Sequence, residues 1–229
     1  TSDGNDDPRY MWQTLYSAIA AANQAIQAIY DLGDPASLAP QKAEALMCRA
    51  YAHFVLANVF CLPYNPETAD KDMGIPYSEK PETQVIVKYE RGTMAELYEK
   101  INADIEAALP YISDDVYTVP KYHFNKKAAY AFATRFNLFY VKPDKSNYQK
   151  VVEYATQVLG SNPDRALRQM TNYIPLGAGD VTNAYVQASE NCNLLIIPAY
   201  SAAGRIGSGS GPRYNHGREI TTYETYWAK

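Results

Sequence analysis

The stretch from Gln41 to Leu62 most constrains the fold: Ala45, Leu46, Met47, Cys48, Ala50, Tyr51, Phe54, Val55, Leu56, Val59 and Phe60 fall within it. At 3.6 residues per turn these positions lie on nearly every side of a helix rather than along one stripe. A helix apolar all round is stable only where neighbours cover it, so the run predicts a central helix packed between others and the most protected element of the chain. Arg49 and His53 interrupt it. An arginine in such a helix needs a partner, an opposite charge or backbone carbonyls, so Arg49 and the nearby Glu44 read as structural. His53 reads as a hydrogen-bonded structural histidine rather than a catalytic one.

Other helices follow from periodicity. Trp12, Leu15, Tyr16, Ile19, Ile26 and Tyr30 recur at helical spacing between Arg9 and Leu32, with Asn23 as the polar exception and Gly33 closing the run. Pro63, Pro66, Pro76 and Pro81 break up the next segment, which predicts a loop from Leu62 to about Tyr89. Thr93 and Glu96 have the spacing of a capping box and announce a third helix, striped by Leu97, Tyr98, Ile101, Ile105, Ala108 and Leu109 and stopped by Pro110. A fourth helix is expected from Lys126 to about Val141 behind an Asn125 cap, and a fifth from Asn147 to Leu159. Small residues one turn before large ones, Ala50 and Phe54, Ala128 and Phe132, Ala155 and Leu159, fit paired helices of tetratricopeptide (TPR) type. The expected architecture is mainly all-α: antiparallel TPR-type helix pairs forming an α-α superhelix, with long irregular loops and little strand. Residues 1–229 read as a single domain, with helices over 10–160 and a loop-rich, aromatic-rich segment over 161–229 that holds one strand-like run, Asn193 to Pro198.

Several chemistries find no footing. The net charge of −4 and the absence of a Lys/Arg block argue against nucleic acid as a partner. His53, His123 and His216 lie far apart, and no Cys/His spacing suits a metal, so no metal or other cofactor is predicted. Three cysteines without a CxxC, two of them about 20 Å apart on one helix, read as buried thiols rather than a disulfide framework. Asp70 and Asp72 before Gly74 begin like a calcium loop but lack its later ligands, which leaves a solvated loop. The pairs Asp104 and Glu106, and Asp114 and Asp115, are expected on exposed faces rather than in a glycosidase site. No catalytic residue is assigned, and the chain reads as a binding scaffold rather than an enzyme.

Tyrosine is the unusual component, with 21 Tyr against 6 Phe and 2 Trp. Near the C-terminus Arg213, Tyr214, Asn215, Tyr223, Tyr226 and Trp227 crowd together in sequence. Sugar rings present apolar C–H faces edged by hydroxyls, so flat aromatics flanked by Arg and Asn are the chemistry a glycan site needs. The alternative is that these residues pack against further protein.

Three ordered runs carry a family resemblance. Trp12-x-x-Leu15-Tyr16-x-x-Ile19-x-x-x-Asn23 resembles the opening helix of SusD/RagB proteins. Ala43-Glu44-Ala45-x-x-x-Arg49-Ala50-Tyr51-x-x-Phe54-x-Leu56, followed by Pro63-Tyr64 and Gly74-Ile75-Pro76-Tyr77, resembles that family's most recognisable segment. Arg91-x-Thr93-x-x-Glu96-Leu97-Tyr98-x-x-Ile101-x-x-Asp104-Ile105-x-x-Ala108 is similar to its third helix. The resemblance implies a cell-surface lipoprotein of the Gram-negative outer membrane that binds glycans and passes oligosaccharide to a TonB-dependent SusC-like transporter. It also implies an N-terminal lipid anchor absent from this chain, which reads as the N-terminal, TPR-containing portion of a longer protein. Cys61 departs from the glycine usual before Pro-Tyr. The helix pairs alone leave a generic TPR protein–protein scaffold as the other reading.

Overall fold

The computed structural model describes residues 8–84, 87–176, 180, 184 and 187–197. The chain divides into two compact units, Leu15–Ile197 and a second made of Thr1–Thr14 with Pro198–Lys229. Of the second, Pro8–Thr14 is described and forms the first turns of a helix. Among the described residues there are six α-helices and no strand: α1 Pro8–Asp31, α2 Ala39–Phe60, α3 Met94–Ala108, α4 Lys126–Phe139, α5 Asn147–Leu159 and the single turn α6 Pro163–Ala166. The fold is the all-α, TPR-type architecture expected, with the helix boundaries close to those read from periodicity.

Helix α2 starts two residues earlier than Gln41, because Pro40 in its first turn lacks an N–H that would be unpaired there in any case and brings a helical φ. Helix α1 is terminated by Gly33, whose φ of +84° suits a residue without Cβ and lets Asp34 N–H donate back to the Ile29 carbonyl. Thr93 caps α3 in a complete capping box, its hydroxyl accepting from Glu96 N–H while the Glu96 carboxylate accepts from Thr93 N–H.

The helices pack antiparallel to their chain neighbours, as the side-chain contacts show. Tyr16 meets His53 and Asn23 meets Arg49 across α1 and α2. Arg49 meets Asp104 and Phe54 meets Tyr98 across α2 and α3. Tyr130 meets Tyr154 and Asn137 meets Asn147 across α4 and α5. Helix α2 is the centre, with eleven buried residues between Ala43 and Ala57. Helix α5 buries only Asn147 and lies at the periphery.

The proline-rich stretch after α2 is irregular but tucked in. Ala69, Ile75 and Ser78 are buried. Gly74 N–H donates to the Gly92 carbonyl and Met94 N–H to the Asp72 carbonyl, around an isolated antiparallel bridge between Met73 and Thr93. Cys48, Cys61 and Cys192 form no disulfide and are partly buried. The run from Asn193 takes no regular secondary structure and pairs with no strand among the described residues. It is held by side chains and by one backbone bond, Ile196 N–H to the Lys121 carbonyl at 2.8 Å.

Candidate functional site

Arg213, Tyr214, Asn215, Tyr223, Tyr226 and Trp227 lie outside the described residues. Two polar clusters and a pair of grooves are placed within them.

The first cluster surrounds Arg49, 7% exposed, whose guanidinium forks onto Asp104, also 7% exposed. Arg49 Nε donates to Asp104 Oδ2 and Nη2 to Oδ1, each at 2.7 Å. Nη1 donates to Asn23 Oδ1 at 2.9 Å and to the Glu79 carbonyl at 3.1 Å. Asn23 Nδ2 donates to the Ser78 carbonyl at 3.0 Å, and Tyr77 OH donates to Asp104. Three helices and the 77–79 loop thus converge on one guanidinium. Asp104 does not occupy the exposed face expected of it, because the carboxylate that neutralises Arg49 has to follow it into the interior. A signal was present in the sequence: Asp104 stands among Ile101, Ile105 and Ala108 on the buried stripe of α3, as Asn23 stands between Ile19 and Ile26 on α1.

His53 completes this cluster as a structural residue. Its Nδ1 sits 2.9 Å from the Arg49 carbonyl, its Nε2 accepts from Ser78 N–H at 3.2 Å, and its ring stacks on Tyr77 at 3.9 Å. Those partners require the neutral ring protonated at Nδ1. Burial, reinforced by the nearby Arg49 charge, holds its pKa down to about 3. Burial and then Asp104 push the Tyr77 hydroxyl far above its ordinary value. Neither group exchanges protons near neutrality.

The second cluster joins α2 to the loop before α4. Glu44 Oε1 lies 2.8 Å from His123 Nδ1, and Tyr117 stacks on the His123 ring at 4.2 Å. Burial, then the Glu44 carboxylate, pushes the Cys48 thiol up to about 12, so this cysteine is not a thiolate nucleophile at neutral pH. Three further carboxylates hold structure together. Glu106, half-buried, takes Lys150 and Tyr154 across α3 and α5. Asp114 accepts Lys126 N–H at the start of α4. Asp72 takes the Thr68 hydroxyl, and among the described residues no group of three His, Cys, Asp or Glu side chains is placed to hold a metal.

Residues 190–197 run against the 120–125 loop. Lys121 Nζ donates to the Glu190 carbonyl at 2.5 Å, and Asn125 Nδ2 to the Leu194 carbonyl at 2.6 Å. Arg168 bonds Asn193 Oδ1 and the Tyr173 hydroxyl, which in turn donates to Glu190. One groove, of about 500 Å³, opens on one side of this segment over Tyr51, Phe124 and Phe132. A second, of about 600 Å³, opens between residues 114–125, the start of α4, the end of α5 with α6, and residues 191–194, and sets polar and charged side chains beside Val158, Leu159, Ala166 and Leu194. Both fall in the size range of ligand sites. Sequence reading missed the second groove, since its walls come from three separate stretches, 114–127, 157–166 and 191–194, and no motif spans them.

Residues 1–138 match a family, SusD-like_3, described as "Starch-binding associating with outer membrane". No curated protein sequence matches. Among solved structures, a SusD superfamily protein from Bacteroides thetaiotaomicron is similar at 26% identity and TM-score 0.60, over 77% of this chain and 40% of that one. A putative sugar binding protein from Bacteroides vulgatus is similar at 21% identity and TM-score 0.62, over 82% of this chain and 39% of that one. A SusD-like carbohydrate binding protein, also from Bacteroides vulgatus, shares 19% identity at TM-score 0.55, over 72% of this chain and 33% of that one. The chain therefore spans at most 40% of the length of these three structures.

Proposed function

The chain belongs to the SusD-like family, and on that premise we propose that it serves a non-catalytic receptor that captures glycans at the outer membrane and passes oligosaccharide to a TonB-dependent SusC-like transporter. The match over residues 1–138 carries this reading. Its support in the geometry is that the buried groups are committed to structure: Arg49, Asp104, Asn23, Tyr77 and His53 satisfy one another. A network closed on itself fixes a scaffold on which a binding surface can be carried. Attachment to the membrane falls to an N-terminal lipid. Among the described residues no helix is long and apolar enough to cross a membrane.

The glycan platform belongs to Arg213, Tyr214, Asn215, Tyr223, Tyr226 and Trp227, whose side-chain types stack on sugar faces and hydrogen-bond hydroxyls. Glycan-array screening of the full chain, followed by calorimetry on the best ligand, tests the reading. Trp227→Ala and Tyr214→Ala should each weaken binding by about tenfold or more, equal to about 1.4 kcal/mol. Binding to no polysaccharide and to no barrel partner sinks the receptor role.

A further inference from the structure

We propose that the groove of about 600 Å³ bounded by residues 114–125, the start of α4, the end of α5 with α6, and residues 191–194 is a subsite for acidic, uronate-type oligosaccharide. The inference rests on the glycan-receptor reading and goes beyond it in naming a second site and the charge class of its ligand.

Charge comes first. The chain is acidic, at −4, yet this groove is lined by three cations, Lys121, Lys127 and Arg165, against one carboxylate, Asp114. Asp114 accepts Lys126 N–H at 2.7 Å and keeps its charge, which leaves the cations in excess by two. Lys121 is anchored by the Glu190 carbonyl, which fixes a positive charge in the wall without neutralising it. Lys127 and Arg165 are exposed, and their side chains have no hydrogen-bond or ion-pair partner among the described residues. A concave wall with an excess of one charge focuses its field on the space it encloses, so the favoured occupant is an anion.

The remaining polar groups narrow that anion. Gln157 and Asn191 line the same groove with exposed amides that bond nothing else described. An amide offers donors and an acceptor together, the match for a hydroxyl that does both. Arg165 offers a planar fork suited to a carboxylate. A ring bearing hydroxyls and a carboxylate uses both kinds of group, and a cavity of about 600 Å³ admits a short oligomer of such rings. No aromatic side chain lines the groove, so recognition there rests on charge and hydrogen bonds rather than stacking.

The test is isothermal titration of the full chain with an oligogalacturonate and with a neutral malto-oligosaccharide of equal length. The acidic ligand should bind, and its affinity should fall as ionic strength rises from roughly 0.02 to 0.2 M. The double variant Lys127→Gln with Arg165→Gln should lose at least about tenfold in affinity for it while keeping the parent melting temperature, both positions being exposed. Absent acidic binding, binding the double variant retains, or equal retention of inorganic phosphate or of lipopolysaccharide vesicles overturns the assignment. Binding of the neutral ligand alone overturns it while leaving the receptor reading intact. Binding of no glycan in a wide array defeats that reading first.

Discussion

Arg49 carries more donors than any apolar helix can satisfy, and the fold answers by drawing in Asp104, Asn23 and the Glu79 carbonyl. Removing one partner leaves the other charged, buried and unpaired, which costs about 3–5 kcal/mol. Arg49→Ala and Asp104→Ala should each lower unfolding free energy by about that amount, and the double variant by clearly less than the sum. Binding per folded molecule should persist; a variant with the parent melting temperature that has lost binding contradicts the structural role. His53 gives the pH dependence of the same cluster. Its folded pKa is depressed to about 3 from 6.5, so the unfolded state binds the extra proton between those values and stability rises with pH there. The contribution is complete above 6.5 and is lost as pH falls toward 3. Between pH 7.5 and 5.5 the protein should lose about 1.4 kcal/mol more than His53→Gln does, as read from urea midpoints at each pH. Equal losses would show that His53 is not the titrating group. The sequence announced the need of Arg49 for a partner but not which one, because pairing across 55 residues is decided by how α2 and α3 lie together.

At the level of elements, local chemistry was legible wherever it was complete within a few residues. Thr93 and Glu96 spell their capping box at a spacing of three, and the helix starts where they say. Thr93→Ala should cost about 1 kcal/mol, measured by chemical denaturation, with Glu96→Ala adding little once Thr93 is gone since the two bonds form one unit. The docking of the preceding loop was not legible, for its register depends on backbone contacts between residues 69–74 and 91–95. Gly74 shows why that register is tight: a Cβ there would stand 2.9 Å from the Thr93 carbonyl oxygen. Gly74→Ala must displace backbone rather than a flexible side-chain end, at about 1–3 kcal/mol. A melting temperature unchanged by Gly74→Ala would mean the loop is less firmly seated than the contacts describe. The run from Asn193 read as a strand because Leu194, Leu195, Ile196 and Ile197 favour extended backbone. With no strand beside it among the described residues, its hydrogen bonds go to Lys121 and Asn125 instead.

Across the whole molecule, the order of the five longer helices was readable because each carries its own apolar pattern, a stripe or, in α2, nearly every side, whereas the joint between helix pairs was not, since it is made by side chains far apart in sequence. The candidate site was the least readable: the aromatic tail was picked out by composition, and the second groove only by geometry. The joint is aromatic. Phe54 of α2 meets Tyr98 of α3 and Phe132, Phe136 and Phe139 of α4, with ring centroids 5.5–6.4 Å apart. Tyr51 on Phe132 and Tyr98 on Phe136 extend the same joint, and Glu106 with Lys150 and Tyr154 adds a half-exposed contact worth at most about 1 kcal/mol. Phe54 touches four of the rings and is the residue of the joint with the most ring contacts across the two pairs. Phe54→Ala should cost about 3–5 kcal/mol and separate the transitions, so that amides of α4 and α5 lose hydrogen-exchange protection at a lower urea concentration than those of α2 and α3. Phe54→Leu, which keeps most of the volume while losing the ring edges, should cost less and leave the transitions closer together. If Phe54→Ala unfolds in one step, with the parent's urea dependence and coincident loss of protection in all four helices, the coupling runs through other contacts and the aromatic joint is packing alone.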